Sequence, residues 1–252
     1  HGASHNGMWD MALLAHVPGL RLAAPRDEAT LRDSLRQAVS VGDAPTVVRY
    51  PKGTLPEPLA AVRRLGLEDA EKSPYDAGVE GDASAGEALG EVSAFDVVDV
   101  LLENRKPADA PQLLLVGVGA MAAHAREAGR TLEQENRAVT VVHPHWVIPP
   151  PGPLVAAAAQ ADVVIVVEDG LVDGGIGSQL RDAVEDYRAG RSDAAGPRVW
   201  RRIGIPRQFI DTATRDQLLE DFGMRAPDIA EAARAAADGA ADAPGVRDLG
   251  AE

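Results

Sequence analysis

Two stretches of the chain place reactive residue types where they are able to act. The first is HGASHNGMWD, residues 1–10, which sets His1 and His5 among Gly, Ala, Ser and Asn. Ser4, Asn6 and Gly7 are small or polar and leave the His5 imidazole accessible, and an accessible imidazole gives or takes a proton near neutrality. A helix-capping or surface histidine is the plainer alternative. The second is TVVRYPKG, residues 46–53, in which Arg49 ends an apolar run. If that run is a strand of a parallel sheet, Arg49 lies at its C-terminal end, where such sheets bind ligands. A guanidinium there grips a phosphate or carboxylate with two hydrogen bonds. A strand-end ion pair is the alternative. Lys52 adds a further positive charge close by.

Other spots carry weaker signals. Gly2-Ala3-Ser4-His5 lacks the second glycine of a hydrolase nucleophile elbow and follows no strand. His143-Pro144-His145 offers two imidazoles but no nearby third ligand for zinc, so two strand-end histidines near a turn are expected. GLVDGGIG, residues 170–177, stands between an apolar run and a helical pattern. Such a loop either meets phosphate at the helix N-terminus or is a turn where backbones approach closely.

The elements that must hold these residues follow an α/β pattern. Met8–Ala15 reads as a helix ended by Pro18-Gly19. Leu20–Ala24, a helix after the N-cap Asp27, and Thr46–Tyr50 spell strand–helix–strand. Leu31, Leu35, Ala38 and Val39 mark the expected buried face of that helix. Residues 54–91 are rich in Gly, Pro, Asp and Glu and lack a period, so 53–110 is expected to be an acidic, partly mobile linker. A short helix is expected over Val92–Asn104. Strands are then expected at Gln112–Val118, Ala138–His143, Asp162–Glu168 and Arg198–Ile205. Helices are expected at Met121–Glu135, Leu154–Gln160, 178–190, after the capping box Thr214–Gln217, and at 227–238. The tail past Gly239 is expected to fray. The fold class is therefore α/β. A truncated sheet over 1–52 precedes a doubly wound, mostly parallel sheet domain over 111–252.

Composition narrows the function. The 252 residues carry a formal net charge of −14 and no cysteine. That balance disfavours nucleic acid and anionic membranes as partners. It excludes disulfides and thiolate chemistry. No run approaches the ~20 apolar residues of a membrane span, and no signal-peptide pattern is present. A cytoplasmic protein is expected.

Taken together, HGASHNGMWD, VPGLRLAAPRDEATLRDSLRQAV and APTVVRYPKG resemble the later part of the pyrimidine-binding domain of the 1-deoxy-D-xylulose-5-phosphate synthases, within the transketolase superfamily. LLLVGVGAM, VVHPHWVIP, VVEDGLVDGGIGSQL and IGIPRQFIDTATRDQLLEDFGM agree in the same order. The resemblance implies a transferase that depends on thiamine diphosphate and magnesium. It condenses pyruvate with D-glyceraldehyde 3-phosphate, giving 1-deoxy-D-xylulose 5-phosphate and carbon dioxide, a precursor of isoprenoids, thiamine and pyridoxal. It also implies that His5 assists proton transfer, that Ser4 and Asn6 contact substrate, and that Arg49 binds the acceptor's phosphate. A homodimer is implied too.

The chain departs from that pattern in four ways, one being more prolines at 149–151 than the family's usual turn. His1 stands where the family has an acidic residue. The segment between Gly53 and Gln112 is longer than the family's connection. The family's G-D-G…N motif for magnesium and diphosphate, and its glutamate for the aminopyrimidine ring, do not occur. The cofactor and metal are thus expected to be held by an N-terminal portion of the same enzyme, and this chain alone is expected to be inactive. Two rival readings remain at this point: a 2-oxoacid dehydrogenase β-subunit of the same superfamily, and a non-catalytic dimerisation module.

Overall fold

A computed structural model describes residues 7–54, 56–65, 94–104, 110–189, 196–241 and 247–249. Helix α1 (Asp10–Leu14) leads into β1 (Arg21–Ala23), α2 (Glu28–Ser40) and β2 (Thr46–Val48). The two strands are parallel, Leu22 facing Val47, as the strand–helix–strand pattern requires. Asp27 caps α2: its Oδ1 accepts the N–H of Thr30 at 3.0 Å, and Thr30 Oγ1 accepts the N–H of Asp27 at 3.1 Å.

The buried face of α2 is not the expected one. Leu35 is 47% exposed and Val39 84% exposed, whereas Thr30, Asp33 and Ser34 are buried. Hydrogen bonds at the two ends of the helix set its rotation. Asp27 Oδ2 accepts the N–H of Leu59 at 3.0 Å, and Gln37 Oε1 accepts from the Trp146 indole at 2.6 Å. These two long-range bonds hold α2 with Thr30, Asp33 and Ser34 facing inward, against the apolar stripe.

The chain continues with β3 (Arg63–Arg64), β4 (Val98–Asn104), β5 (Leu113–Gly117), α3 (Met121–Gln134), β6 (Val139–Pro144), β7 (Trp146–Ile148) and α4 (Gly152–Gln160). It ends with β8 (Val163–Leu171), α5 (Ile176–Ala189), β9 (Val199–Ile205), α6 (Arg215–Asp221), α7 (Ala226–Ala241) and β10 (Arg247–Leu249). Three expectations are corrected. Val98–Asn104 is a strand rather than a helix and lies antiparallel to β6. Its VVDVLL run is rich in β-branched residues, which prefer a pleated surface. The 53–110 span read as linker accordingly contributes β3 and β4, while residues 66–93 lie outside the described set. Beyond Gly239 the chain does not simply fray: β10 pairs parallel with β9.

Among the described residues the large sheet has the order β10-β9-β8-β5-β6-β4-β3. The strands from β10 to β6 run parallel, and β4 and β3 add an antiparallel edge. Helices α3 and α7 cover one face, with Leu115, Met121, Ile165 and Ile229 in the core. Helices α4 and α5 cover the other, with Val116, Leu154, Val166 and Leu180. The fold is thus a doubly wound α/β/α sandwich. Both faces of the sheet are covered, which explains why β8 is buried at every residue.

Chain order reverses between β5 and β8. In an open sheet that switch point leaves a crevice beyond the strands' C-terminal ends. Here the first part of the chain fills it. A Cβ on Gly119 would lie 3.5 Å from the Ala24 side chain. The two parts also share backbone pairing, since β1 takes β7 as an antiparallel neighbour to make, among the described residues, a three-stranded sheet, β2-β1-β7.

Candidate active site at the meeting of two strand ends

Arg49 follows β2, and its N–H donates to the carbonyl of Ala23 at 2.9 Å. Its side chain crosses to the end of β8. Nη1 donates to Asp169 Oδ1, and Nη2 donates to the main-chain oxygen of Asp169 at 3.0 Å. Nε lies 3.5 Å from Asp10 Oδ2 on α1. The other Asp169 oxygen, Oδ2, is 2.8 Å from Arg215 Nη1 at the start of α6. Arg49 and Asp169 side chains are only 14% and 6% exposed. Burial alone would raise the Asp169 pKa. The charges of Arg49 and Arg215 outweigh burial and hold it below the usual carboxylate range. For Arg49, burial works against the cation, but Asp169 and Asp10 more than restore it. The strand-end ion pair therefore exists, and it is buried rather than superficial. Lys52 is exposed.

The residues beside Asp169 fix the same corner. Leu171 donates its N–H to the carbonyl of Met8 at 2.9 Å. A Cβ on Gly170 would come within 2.5 Å of Met11 Cε, so a glycine lets α1 close on β8. His1, Ser4, His5 and Asn6 lie outside the described residues. The first described residue, Gly7, adjoins this corner in sequence, and its carbonyl accepts from Asp10 N–H at 3.3 Å. Asp10 is the residue that reaches Arg49. The geometry thus joins Arg49 to the segment that follows His5.

The glycine loop resolves in favour of close backbone approach. Glu168 turns its carboxylate into the N-terminus of α5, accepting from Ile176 N–H at 2.8 Å and Gly177 N–H at 2.9 Å. A protein carboxylate already takes the place a phosphate would need. Burial pushes the Glu168 pKa up to about 7, against the two N–H groups that favour its charge. A Cβ on Gly175 would fall 2.0 Å from the Leu171 carbonyl oxygen.

A second buried polar cluster lies across the sheet, and sequence reading missed most of it. Asp99 on β4 accepts from Arg26 Nη1 at 2.7 Å, from Arg64 Nε at 2.8 Å, and meets His145 Nε2 at 2.8 Å. Arg26 Nη2 also donates to the Leu59 carbonyl at 2.8 Å. Burial works against the Asp99 charge, but His145, Arg26 and Arg64 together hold its carboxyl far below the usual range. The expected pair of strand-end histidines is fully buried: His143 is 0% and His145 3% exposed. His143 Nδ1 bonds the Gly117 carbonyl at 3.0 Å. Burial lowers its pKa well below the ordinary value, so the ring is neutral. The signal for this cluster was the P-R-D after β1, because an arginine and an aspartate at the end of an apolar strand need partners when buried.

Among the described residues, no group of three or more His, Asp or Glu side chains is arranged to hold a metal ion. The α5 N-terminus is filled by Glu168 rather than open to a diphosphate. No described helix is long and apolar enough to cross a membrane.

The fold is that of transketolase-type proteins. The family model for the transketolase C-terminal domain matches residues 104–229, and that for the transketolase pyrimidine binding domain matches residues 1–58. The chain belongs to the transketolase family. Within it, the chain is similar to 1-deoxy-D-xylulose-5-phosphate synthases. That of Corynebacterium glutamicum (strain ATCC 13032) is 42% identical over 90% of this chain and 31% of its own length. That of Kocuria rhizophila is 42% identical over 91% of this chain and 30% of its own length. The chain thus spans just under a third of the relatives it matches. Among solved structures, a split-gene transketolase, described as an inactive β4 tetramer, superposes with a TM-score of 0.66 at 23% identity, covering 94% of this chain and 63% of that one. Transketolase from Leishmania mexicana gives 0.63 at 18% identity, covering 98% of this chain and 30% of that one.

Proposed function

We propose that this chain is the acceptor-binding and assembly portion of a 1-deoxy-D-xylulose-5-phosphate synthase. The whole enzyme condenses pyruvate with D-glyceraldehyde 3-phosphate, releasing carbon dioxide. The observation that supports this best is Arg49: a cation at a strand's C-terminal end, tethered where two parts of the chain meet. In this reading Arg49 grips the phosphate of the acceptor. His5 moves a proton on the reacting substrate, and Ser4 and Asn6 bind substrate beside it. In this reading thiamine diphosphate and Mg2+ are held mainly by the N-terminal portion, since the family's G-D-G…N motif and aminopyrimidine glutamate do not occur in this sequence. The division of labour is 1–52 for the pyrimidine-binding part, 53–110 as a connection carrying two strands, and 111–252 for assembly. The enzyme works as a cytoplasmic homodimer.

The test is to assay the chain alone, the N-terminal portion alone, and the two together for deoxyxylulose phosphate formed from pyruvate and glyceraldehyde 3-phosphate. Activity only in the mixture, lost on His5→Ala, is expected. Product from this chain alone would overturn the reading. Assembly with the N-terminal portion without any product would favour a non-catalytic module.

A further inference from the structure

An arginine that must meet a phosphate faces a difficulty of its own. Its side chain is long and carries about 2 kcal/mol of rotamer entropy, and in an acidic chain it is drawn to carboxylates. Arg49 resolves this through one partner. Asp169 engages two of its nitrogens at once, Nη1 through the carboxylate and Nη2 through the main-chain oxygen, the latter at 3.0 Å. Asp10 meets Nε at 3.5 Å. Of the five N–H donors of a guanidinium, two then have no partner among the described residues.

The charge arrangement is equally specific. A lone aspartate would cancel the arginine it holds. Asp169 is shared, with Arg215 Nη1 2.8 Å from its other oxygen. The trio Arg49–Asp169–Arg215 carries one net positive charge, and Asp10, touching only Nε, brings the group of four to neutrality rather than to a net negative charge. Asp169 is itself held by its surroundings. It is buried near the end of β8, between Glu168, which is anchored on α5, and Gly170, which is closed against Met11.

We propose that Asp169 is a positioning residue for acceptor binding: it holds the Arg49 guanidinium in its phosphate-gripping orientation, while Arg215 offsets its charge. The proposal rests on the reading of Arg49 as the phosphate ligand. It makes Asp169, on the far half of the chain, a determinant of preference for phosphorylated acceptors. A pre-oriented fork binds more tightly because the ordering cost is met before the ligand arrives.

The experiment uses the reconstituted enzyme, with Asp169→Asn, Arg49→Gln and the double variant. It measures KM for glyceraldehyde 3-phosphate, for pyruvate, and for unphosphorylated glyceraldehyde as acceptor. Asp169→Asn is expected to raise KM for the phosphorylated acceptor about tenfold while pyruvate and glyceraldehyde are unmoved. In the Arg49→Gln background it is expected to add nothing, because both changes act through one guanidinium. An unchanged or lowered KM in Asp169→Asn, with a raised KM in Arg49→Gln, overturns the proposal and leaves the reading of Arg49 intact. A lowered KM would show that Asp169 competes with phosphate. If Arg49→Gln itself leaves all three constants unmoved, the reading of Arg49 fails and the proposal falls with it. Should Asp169→Asn not fold, Asp169→Glu decides. It keeps the charge but shifts the guanidinium by a methylene, so a raised acceptor KM alone supports positioning and an unmoved one overturns it.

Discussion

Arg26 donates to Asp99 at 2.7 Å, with both side chains buried, across 73 residues of sequence. The bond ties the turn after β1 to β4, and so fastens the first part of the chain to the large sheet. Asp99 answers Arg26, Arg64 and His145 together. Removing the carboxylate strands buried cations. Asp99→Ala is expected to cost about 3–5 kcal/mol in urea unfolding. The effect also has a pH signature. The folded-state pKa of Asp99 is depressed, so its contribution is full above the ordinary carboxylate range and drains as pH falls from there towards the depressed folded value. The stability gap between wild type and Asp99→Asn should narrow below about pH 4.

Glu168 has the opposite sign. Its folded pKa is raised from 4.5 to about 7, so the fold binds this proton more tightly than the unfolded chain does. Stability from this group is complete below pH 4.5, falls as pH rises to about 7, and is level above that. The swing is roughly 3 kcal/mol. Glu168→Gln lacks it. Comparing urea midpoints at pH 5 and pH 8, the variant should gain on wild type by about that amount.

Two glycines test packing against backbone freedom. Gly175→Ala would press a methyl to 2.0 Å from the Leu171 carbonyl and 2.6 Å from the Glu168 carboxylate. A loss of more than about 3 kcal/mol is expected. Gly239, in helix α7, has nothing within 4 Å of its would-be Cβ. Gly239→Ala should stabilise by about 0.5–1 kcal/mol in thermal unfolding.

Two caps differ in what else they do. Thr214 caps α6 at an exposed site, accepting Gln217 N–H at 3.2 Å. Thr214→Ala should cost about 1 kcal/mol. Asp27 caps α2 while also accepting Leu59 N–H at 3.0 Å in a buried position. Asp27→Ala should cost two to three times as much, roughly 2–3 kcal/mol, because a buried N–H is also left unpaired. Chemical denaturation of both variants beside wild type checks the ratio.

These contrasts show what a sequence displays and what it hides. The parallel strands of the large sheet were legible because runs such as VVIVVE are apolar enough to be covered on both faces. The capping residues Asp27 and Thr214 were legible because their chemistry is local. The rotation of α2 was not. Leu35 and Val39 form a proper stripe, but Asp27 and Gln37 bond to residues far along the chain, and no periodicity records that. Arg49 announced itself by its place after TVV, whereas Asp169 and Arg215 did not. Each is an ordinary charged residue until the fold brings β2, β8 and α6 to one corner. The short β7 was also missed, since WVI is only three residues long and runs into several prolines. It is a strand because β1 pairs with it.

That last pairing governs the order of events during synthesis. The small sheet needs β1 and β2 from the beginning of this chain and β7 from well past its middle. At roughly 5–20 residues per second, the earliest strands leave the ribosome many seconds before their third partner exists. Until Trp146–Ile148 emerges, the edge of β1 opposite β2 lacks the strand that covers it in this structure. Open edges are what neighbouring nascent chains pair with, so the yield of folded protein depends on how fast that interval closes. Slower translation between Ala23 and Trp146 should lower the yield, and a chaperone that shields the open strand should restore it.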